Sequence, residues 1–169
     1  VAWVALRKGD HDRAEQELRR SVEAYAAAWP HLATSDMRRH GPDYLAAMDS
    51  LTTLLRESRR YGEAMALGDA ATQVAGGCSD PFDSLFLDTL LGQARTARET
   101  RDAARALDTA GRYLEAVLRA RGDQSPDYAW ALRNISYAYL LDDEVDASQR
   151  MEMQARAIWA RQPAVAPPF

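Results

Sequence analysis

Residues 125–139 read SPDYAWALRNISYAY, a serine and a proline followed by apolar positions at helical spacing. Pro126 belongs at a helix start, because the N–H it lacks would have no partner in a first turn and its φ is already fixed near the helical value. Leu132, Ile135 and Tyr139 then fall at three- and four-residue intervals, on one face of a helix. Two other stretches open similarly, GPDYLAAMDSLTTLL from Gly41 and DPFDSLFLDTLLGQA from Asp80. Counted from Pro42, Pro81 and Pro126, the first strong apolar position comes six residues later, at Met48, Leu87 and Leu132, and the next at Leu51, Leu90 and Ile135. Such self-similarity is the mark of a repeat architecture.

Working outward, glycine and proline gather at Pro30 to Pro42, at Gly76 to Pro81 and at Gly122 to Pro126, with a proline-rich tail at 163–169. Between them lie helical stretches broken near the middle by short polar segments, Lys8–Asp10, Ser58–Tyr61, Glu99–Arg101 and Asp142–Asp143. Each stretch therefore reads as helix, tight turn, helix, and Gly76-Gly77 as a helix stop. The expected hairpins are about 1–29, 42–75, 81–121 and 126–161, within one helical repeat domain at 1–162. A small residue should mark the close crossing in each second helix, and the proline-based alignment puts Ala14, Ala64, Ala103 and Ala147 there. The first helix of the first hairpin would begin before Val1, so the chain is expected to be a piece of a longer array.

Composition agrees with an all-α reading: 47% of residues are hydrophobic, and glycine and proline are few and clustered. The formal net charge of −4 offers no excess of positive charge for a phosphate backbone or an anionic membrane, so neither nucleic acid nor membrane is an expected partner. Cys78 is the one cysteine and has no second thiol with which to form a disulfide, which fits a cytoplasmic setting. Lys8 is the one lysine among 21 basic residues, an arginine skew expected of a GC-rich bacterial genome.

The opening loop with Leu132-Arg133-Asn134-Ile135, Tyr139 and Ala147, and more loosely Met48-Asp49-Ser50-Leu51 with Leu55 and Ala64, resembles tetratricopeptide repeats, in particular the longer variety of kinesin light chains and many bacterial proteins. The resemblance runs from Val1 to about Arg161. It departs from the family at Leu91, where a very small residue is preferred, and at Gly68, where a large one is. It implies an α-α superhelix, a right-handed stack of about four antiparallel hairpins whose first helices line a groove for a protein or peptide. It also implies that Ser50, Thr89 and Asn134 occupy the position that contacts a bound peptide backbone.

Projected onto that groove, the lining is Ala46, Asp49, Thr53 and Arg56, then Leu85, Asp88, Gly92 and Arg95, then Trp130, Arg133, Tyr137 and Leu140. The peptide-binding candidates among these are Asp49, Arg56, Asp88, Arg95, Trp130, Arg133 and Tyr137, together with Ser50, Thr89 and Asn134. Arg56 and Arg95 are aligned as equivalent arginines suited to carboxylate or phosphate, and Asp49 and Asp88 as equivalent acids. Trp130 and Tyr137, seven apart on one face, are candidate aromatic anchors, with a place in the core as the competing reading.

Catalytic material is thin, and no cofactor or metal is expected. His11 and Glu15 have the i, i+4 spacing of a metal pair but read better as a solvated first turn, and Cys78 as an incidental thiol. No phosphate loop, zinc spacing or nucleophile elbow occurs, and Asp142-Asp143-Glu144 lacks the spaced ligands and central glycine of a calcium loop. A binding scaffold, a fragment of a larger regulator, is thus the leading expectation. The alternatives are self-association as a homodimer through Trp3, Trp29 or an open first helix, and a helical-bundle enzyme or small-molecule binder.

Overall fold

The computed structural model describes residues 10–78 and 84–161, apart from the side chains of Cys78 and Leu85. Among these residues there are seven α-helices and no strand: α1 (His11–Ala28), α2 (Thr34–Glu57), α3 (Tyr61–Cys78), α4 (Ser84–Glu99), α5 (Ala103–Arg121), α6 (Pro126–Leu141) and α7 (Val145–Ala160), with a 3-10 turn at Trp29–His31. The contacts group the chain into two units, Val1–Asp80 and Pro81–Phe169. In the first, α1 packs on α2 and α2 on α3; in the second, α4 packs on α5, α5 on α6 and α6 on α7, and α4 also touches α6. The expectations placed on Val1, Trp3, Pro81 and the tail lie outside the described residues.

Three turns set the register. Arg59, Arg101 and Asp143 have φ of 60°, 58° and 57°, the left-handed conformation that ends a helix, and they recur every 42 residues. After α2 the geometry is a Schellman motif: the N–H of Arg60 donates to the Leu55 carbonyl at 2.8 Å and that of Arg59 to the Arg56 carbonyl at 2.9 Å. After α6 the N–H of Glu144 reaches the Tyr139 carbonyl in the same way at 3.0 Å. After α4 the Thr100 side chain takes part, its hydroxyl donating to Ala97 and accepting from the Asp102 N–H.

The second helices open identically. Ala14, Ala64, Ala106 and Ser148 each donate to the carbonyl of the residue capping the helix, at 2.9–3.1 Å. All four are buried. The close-crossing position is thus held by Ala106 in α5 and Ser148 in α7. Ala103, expected there, is the first residue of α5 and only half-buried, and Ala147 is buried one place before the repeat position. Asp10 and Asp102 cap α1 and α5 through their carboxylates, accepting from Arg13 and Arg105, which removes one orphan donor at each start.

The same 42-residue interval aligns the first helices. Met48, Leu90 and Leu132 are equivalent and all buried, as are Leu45, Leu87 and Ala129. Anchoring the alignment on Pro81 therefore displaced α4 by three residues, nearly one turn. Pro126 does occupy the first position of α6, behind a Ser125 cap whose side chain accepts from Tyr128. Its equivalent Pro42 does not start a helix: α2 begins at Thr34 and carries Pro42 inside it. The neighbour before it explains the tolerance, since Gly41 has no Cβ to clash with the proline ring, and it is buried. Likewise Gly76 and Gly77 do not stop α3, which runs to Cys78 with Val74 and Ala75 buried just ahead of them.

In the first unit α1 is tied to α3 by ions as well as by packing of Ala14 and Leu18 with Leu51, Leu55 and Ala64. Arg60 donates to Glu15 and Glu63 at 2.7 Å, and Arg19 bonds the same two carboxylates at 2.8 Å. These paired bonds hold Glu63 down at about 2, chiefly through Arg60, and lower Glu15, chiefly through Arg19. Tyr25 stacks on Tyr44 at 5.1 Å and Trp29 tilts against Tyr44 at 5.3 Å, fixing the 3-10 turn over α2.

Candidate functional site

The second unit presents a face built from α4 and α6. Helical spacing puts Trp130, Arg133, Tyr137 and Leu140 on one side of α6, opposite the buried Leu132 and Ile135. The Arg98 guanidinium of α4 lies over the Tyr137 ring at 5.1 Å, so the two helices contribute to one surface. Arg133 is the hub. Its guanidinium sits 5.7 Å from the Trp130 centroid, 5.8 Å from Tyr137 and 5.9 Å from Trp159 of α7, and its Nε donates to the Tyr137 hydroxyl at 3.0 Å. Trp130 meets Trp159 edge-on at 6.0 Å. Cation–π contacts of this kind are worth about 0.5–1 kcal/mol when exposed and about 2 when desolvated, so the cation is held in place rather than left to swing.

Trp130 answers both readings made for it. It packs against the core cluster of Ala129, Leu132, Ala155, Ile158 and Trp159, yet is itself only partly buried. Asn134 beside it donates from Nδ2 to the Trp130 carbonyl at 2.8 Å, and Ser50, its equivalent 84 residues earlier, donates to the Ala46 carbonyl at 2.8 Å. Both spend a donor on their own helix. Tyr113 of α5 is buried beneath this face, and burial foremost, with Asp127 and Asp88 nearby, pushes its hydroxyl up to about 12.

The corrected register rearranges the remaining candidates. Arg56 is equivalent to Arg98, not to Arg95; Asp49 is equivalent to Leu91 and Arg133, not to Asp88. Thr89 falls with Ala47 and the fully buried Ala131 rather than with Ser50 and Asn134, whose counterpart in α4 is Gly92. The α4 row of the face is accordingly Asp88, Leu91, Arg95 and Arg98, in place of the row beginning at Leu85. Asp88 and Arg95 are exposed and belong to it; Arg98 and Leu91 were missed. Asp49, Ser50 and Arg56 lie on α2, in the other unit. The signal for Arg98 was present in the sequence, where Arg56-Glu57-Ser58-Arg59 is echoed 42 residues later by Arg98-Glu99-Thr100-Arg101.

Among the described residues no group of three histidines, cysteines or carboxylates converges to hold a metal, and no helix is long and apolar enough to cross a membrane. Solved structures share the arrangement of helices. A candidate kinesin light chain from Podosopora anserina with nearly identical TPR-like repeats superposes with a TM-score of 0.78 at 17% identity, over 95% of this chain and 72% of that one. The fold is TPR-like. It belongs to the all-α, α-α superhelix class. A variant of the same Podosopora protein gives 0.79 at 16% identity over 97% and 74%, and BtubC (BKLC) from P. vanneervenii gives 0.58 at 14% over 99% and 80%. No family model matches the sequence, and no curated protein matches it.

Proposed function

We propose that this TPR-like chain is a protein-binding scaffold and that the α4–α6 face of its second unit holds an acidic peptide segment of another protein. The observation that carries the reading is the preorganised Arg133, stacked among Trp130, Tyr137 and Trp159 and flanked by Arg98. A chain of net charge −4 concentrates arginine here beside partly exposed aromatic rings, the residue types that supply most of the energy of protein contacts. A guanidinium fixed by its neighbours gives up less freedom when it meets a carboxylate, which favours bidentate pairing. Asn134, with one N–H committed to the Trp130 carbonyl, offers Oδ1 to a peptide N–H. The likeness to kinesin light chain-type repeats supports a scaffold rather than an enzyme.

Peptide-display selection against the whole chain tests this. Selected peptides should be rich in Asp and Glu, and Arg133→Ala should weaken the best of them by about tenfold or more, the ordinary cost of losing a central arginine. Arg133→Lys, which keeps charge but not the planar fork, should fall between. Selection of neutral or basic peptides, or unchanged affinity in a folded Arg133→Ala, contradicts the assignment.

A further inference from the structure

One of the rings around Arg133 carries a donor that the fold does not pair. Trp159 is 6% exposed, and among the described residues its Nε1–H is the one buried side-chain nitrogen or oxygen without a hydrogen-bond partner. Buried polar groups are nearly always paired, because a group left without an acceptor forfeits the bond it made to water in the unfolded chain. The side chains around this indole cannot supply the acceptor. Ala129, Leu132, Ala155 and Ile158, buried in the same cluster, are aliphatic. Trp130, edge-on at 6.0 Å, and Arg133, whose guanidinium lies 5.9 Å from the ring, carry donors only. An acceptor therefore has to come from outside the fold. Trp130 and Arg133 are half-buried and belong both to this contact and to the outer face, so the way to the indole leads past side chains already assigned to the peptide.

We infer that one carboxylate of the bound peptide is shared between Arg133 and Trp159, one oxygen accepting from the guanidinium and the other from Nε1–H. The inference rests on the acidic-peptide reading of this face and adds the group that tells an acid from its amide. A carboxylate presents two acceptors and no donor, so it satisfies both neighbours at once. Glutamine or asparagine in its place would turn an N–H toward one of two donors and leave the indole unpaired again. An ionised oxygen also forms a stronger bond than a neutral carbonyl, which offsets the cost of opening a closed contact between Trp130, Arg133 and the indole.

Replacing Trp159 in the whole chain by benzothienylalanine, which has sulfur where the indole has N–H and keeps the ring's shape, tests this. The probes are an Asp- and Glu-rich peptide from the display selection and the same peptide with each acid changed in turn to its amide. In the wild type the Trp159 Nε1–H resonance, identified among the four tryptophans by its loss from the variant, should move downfield and saturate with peptide. The sulfur variant should bind the acidic peptide about tenfold or more weakly, the ordinary loss of a hydrogen bond to a charged group. One amide-substituted peptide should bind the wild type about tenfold or more weakly as well, yet lose far less on the sulfur variant, because both changes break the same bond. A Trp159 resonance that stays in place at saturation overturns the inference. So does a sulfur variant that binds as tightly as the wild type, or one whose preference for acid over amide is undiminished. Peptides that bind and depend on Arg133 but not on the Trp159 N–H sink this inference alone; the absence of any acidic-peptide binding sinks the reading of the face and this inference with it.

Discussion

α4 and α6 bury the same positions and expose different chemistry. Leu90 and Leu132 are both buried, as are Leu87 and Ala129, Gln93 and Ile135, Thr96 and Ala138, each pair separated by one 42-residue interval. The outward positions share nothing of the kind: Asp88 faces Trp130 across that interval, Leu91 faces Arg133, Gly92 faces Asn134 and Arg95 faces Tyr137. Packing against neighbouring hairpins keeps the inner positions buried, although Gln93 against Ile135 and Thr96 against Ala138 show that the side-chain type itself changes there. The outer positions carry no such demand and are open to whatever the surface binds.

The hardest blow to the inner face is Leu132→Ala. Leu132 is 1% exposed within the Ala129, Ile158 and Trp159 cluster, and its truncation should cost about 2–5 kcal/mol in denaturant unfolding. Arg133→Ala next to it should change stability far less while weakening peptide binding about tenfold or more, which separates the two faces directly. A sharper test of the register compares two alanines in α5. Ala106→Leu should destabilise by about 1–3 kcal/mol, since a large side chain is forced into a close helix crossing, whereas Ala103→Leu should stay within about 0.5 kcal/mol. The opposite ranking would return the repeat to its proline-based alignment.

The turns offer a smaller, stabilising effect. Arg59 and Arg101 hold positive φ that a side chain resists, so Arg59→Gly or Arg101→Gly should raise stability by about 0.5–1 kcal/mol, after the extra freedom glycine has in the unfolded chain is subtracted. The first unit should also loosen in acid. Glu63 and Glu15 are held below the usual 4.5 by Arg60 and Arg19, Glu63 at about 2. A depressed carboxylate stabilises above its unfolded value and loses that contribution as pH falls toward the folded one. Amide protection in α1, measured relative to the intrinsic exchange rate at each pH, should therefore fall between about pH 4.5 and 2, and Glu63→Gln should flatten that response.

Much of the fold was legible because it rests on local chemistry. Helical periodicity, the polar breaks at Ser58, Glu99 and Asp142, and Pro126 behind Ser125 all act within a few residues, and the structure places turns at each of those breaks. The register of α4 was not read correctly because proline is an ambiguous marker: it starts α6 yet sits two turns inside α2, where Gly41 makes room for it. The repeated Arg-Glu-Ser/Thr-Arg at the turns was the better ruler, since a turn has less freedom to slide than a helix start. Of the candidate face, Trp130, Arg133 and Tyr137 followed from spacing along one helix. Arg98 was accessible only through the 42-residue echo of Arg56, and Trp159 was not, because its place beside Arg133 depends on how α7 packs onto α6.

The central claim is that the outer face of α4 and α6 binds while the inner face folds. Titrating the isotopically labelled chain with an Asp- and Glu-rich peptide, and following side-chain N–H signals, tests it most directly. The account predicts that the Trp130 indole, the Asn134 amide and the Arg133 Nε–H shift together and saturate, while the signals of α1 and α3 stay in place. Saturable shifts confined to α1–α3, or none anywhere at millimolar peptide, would contradict it.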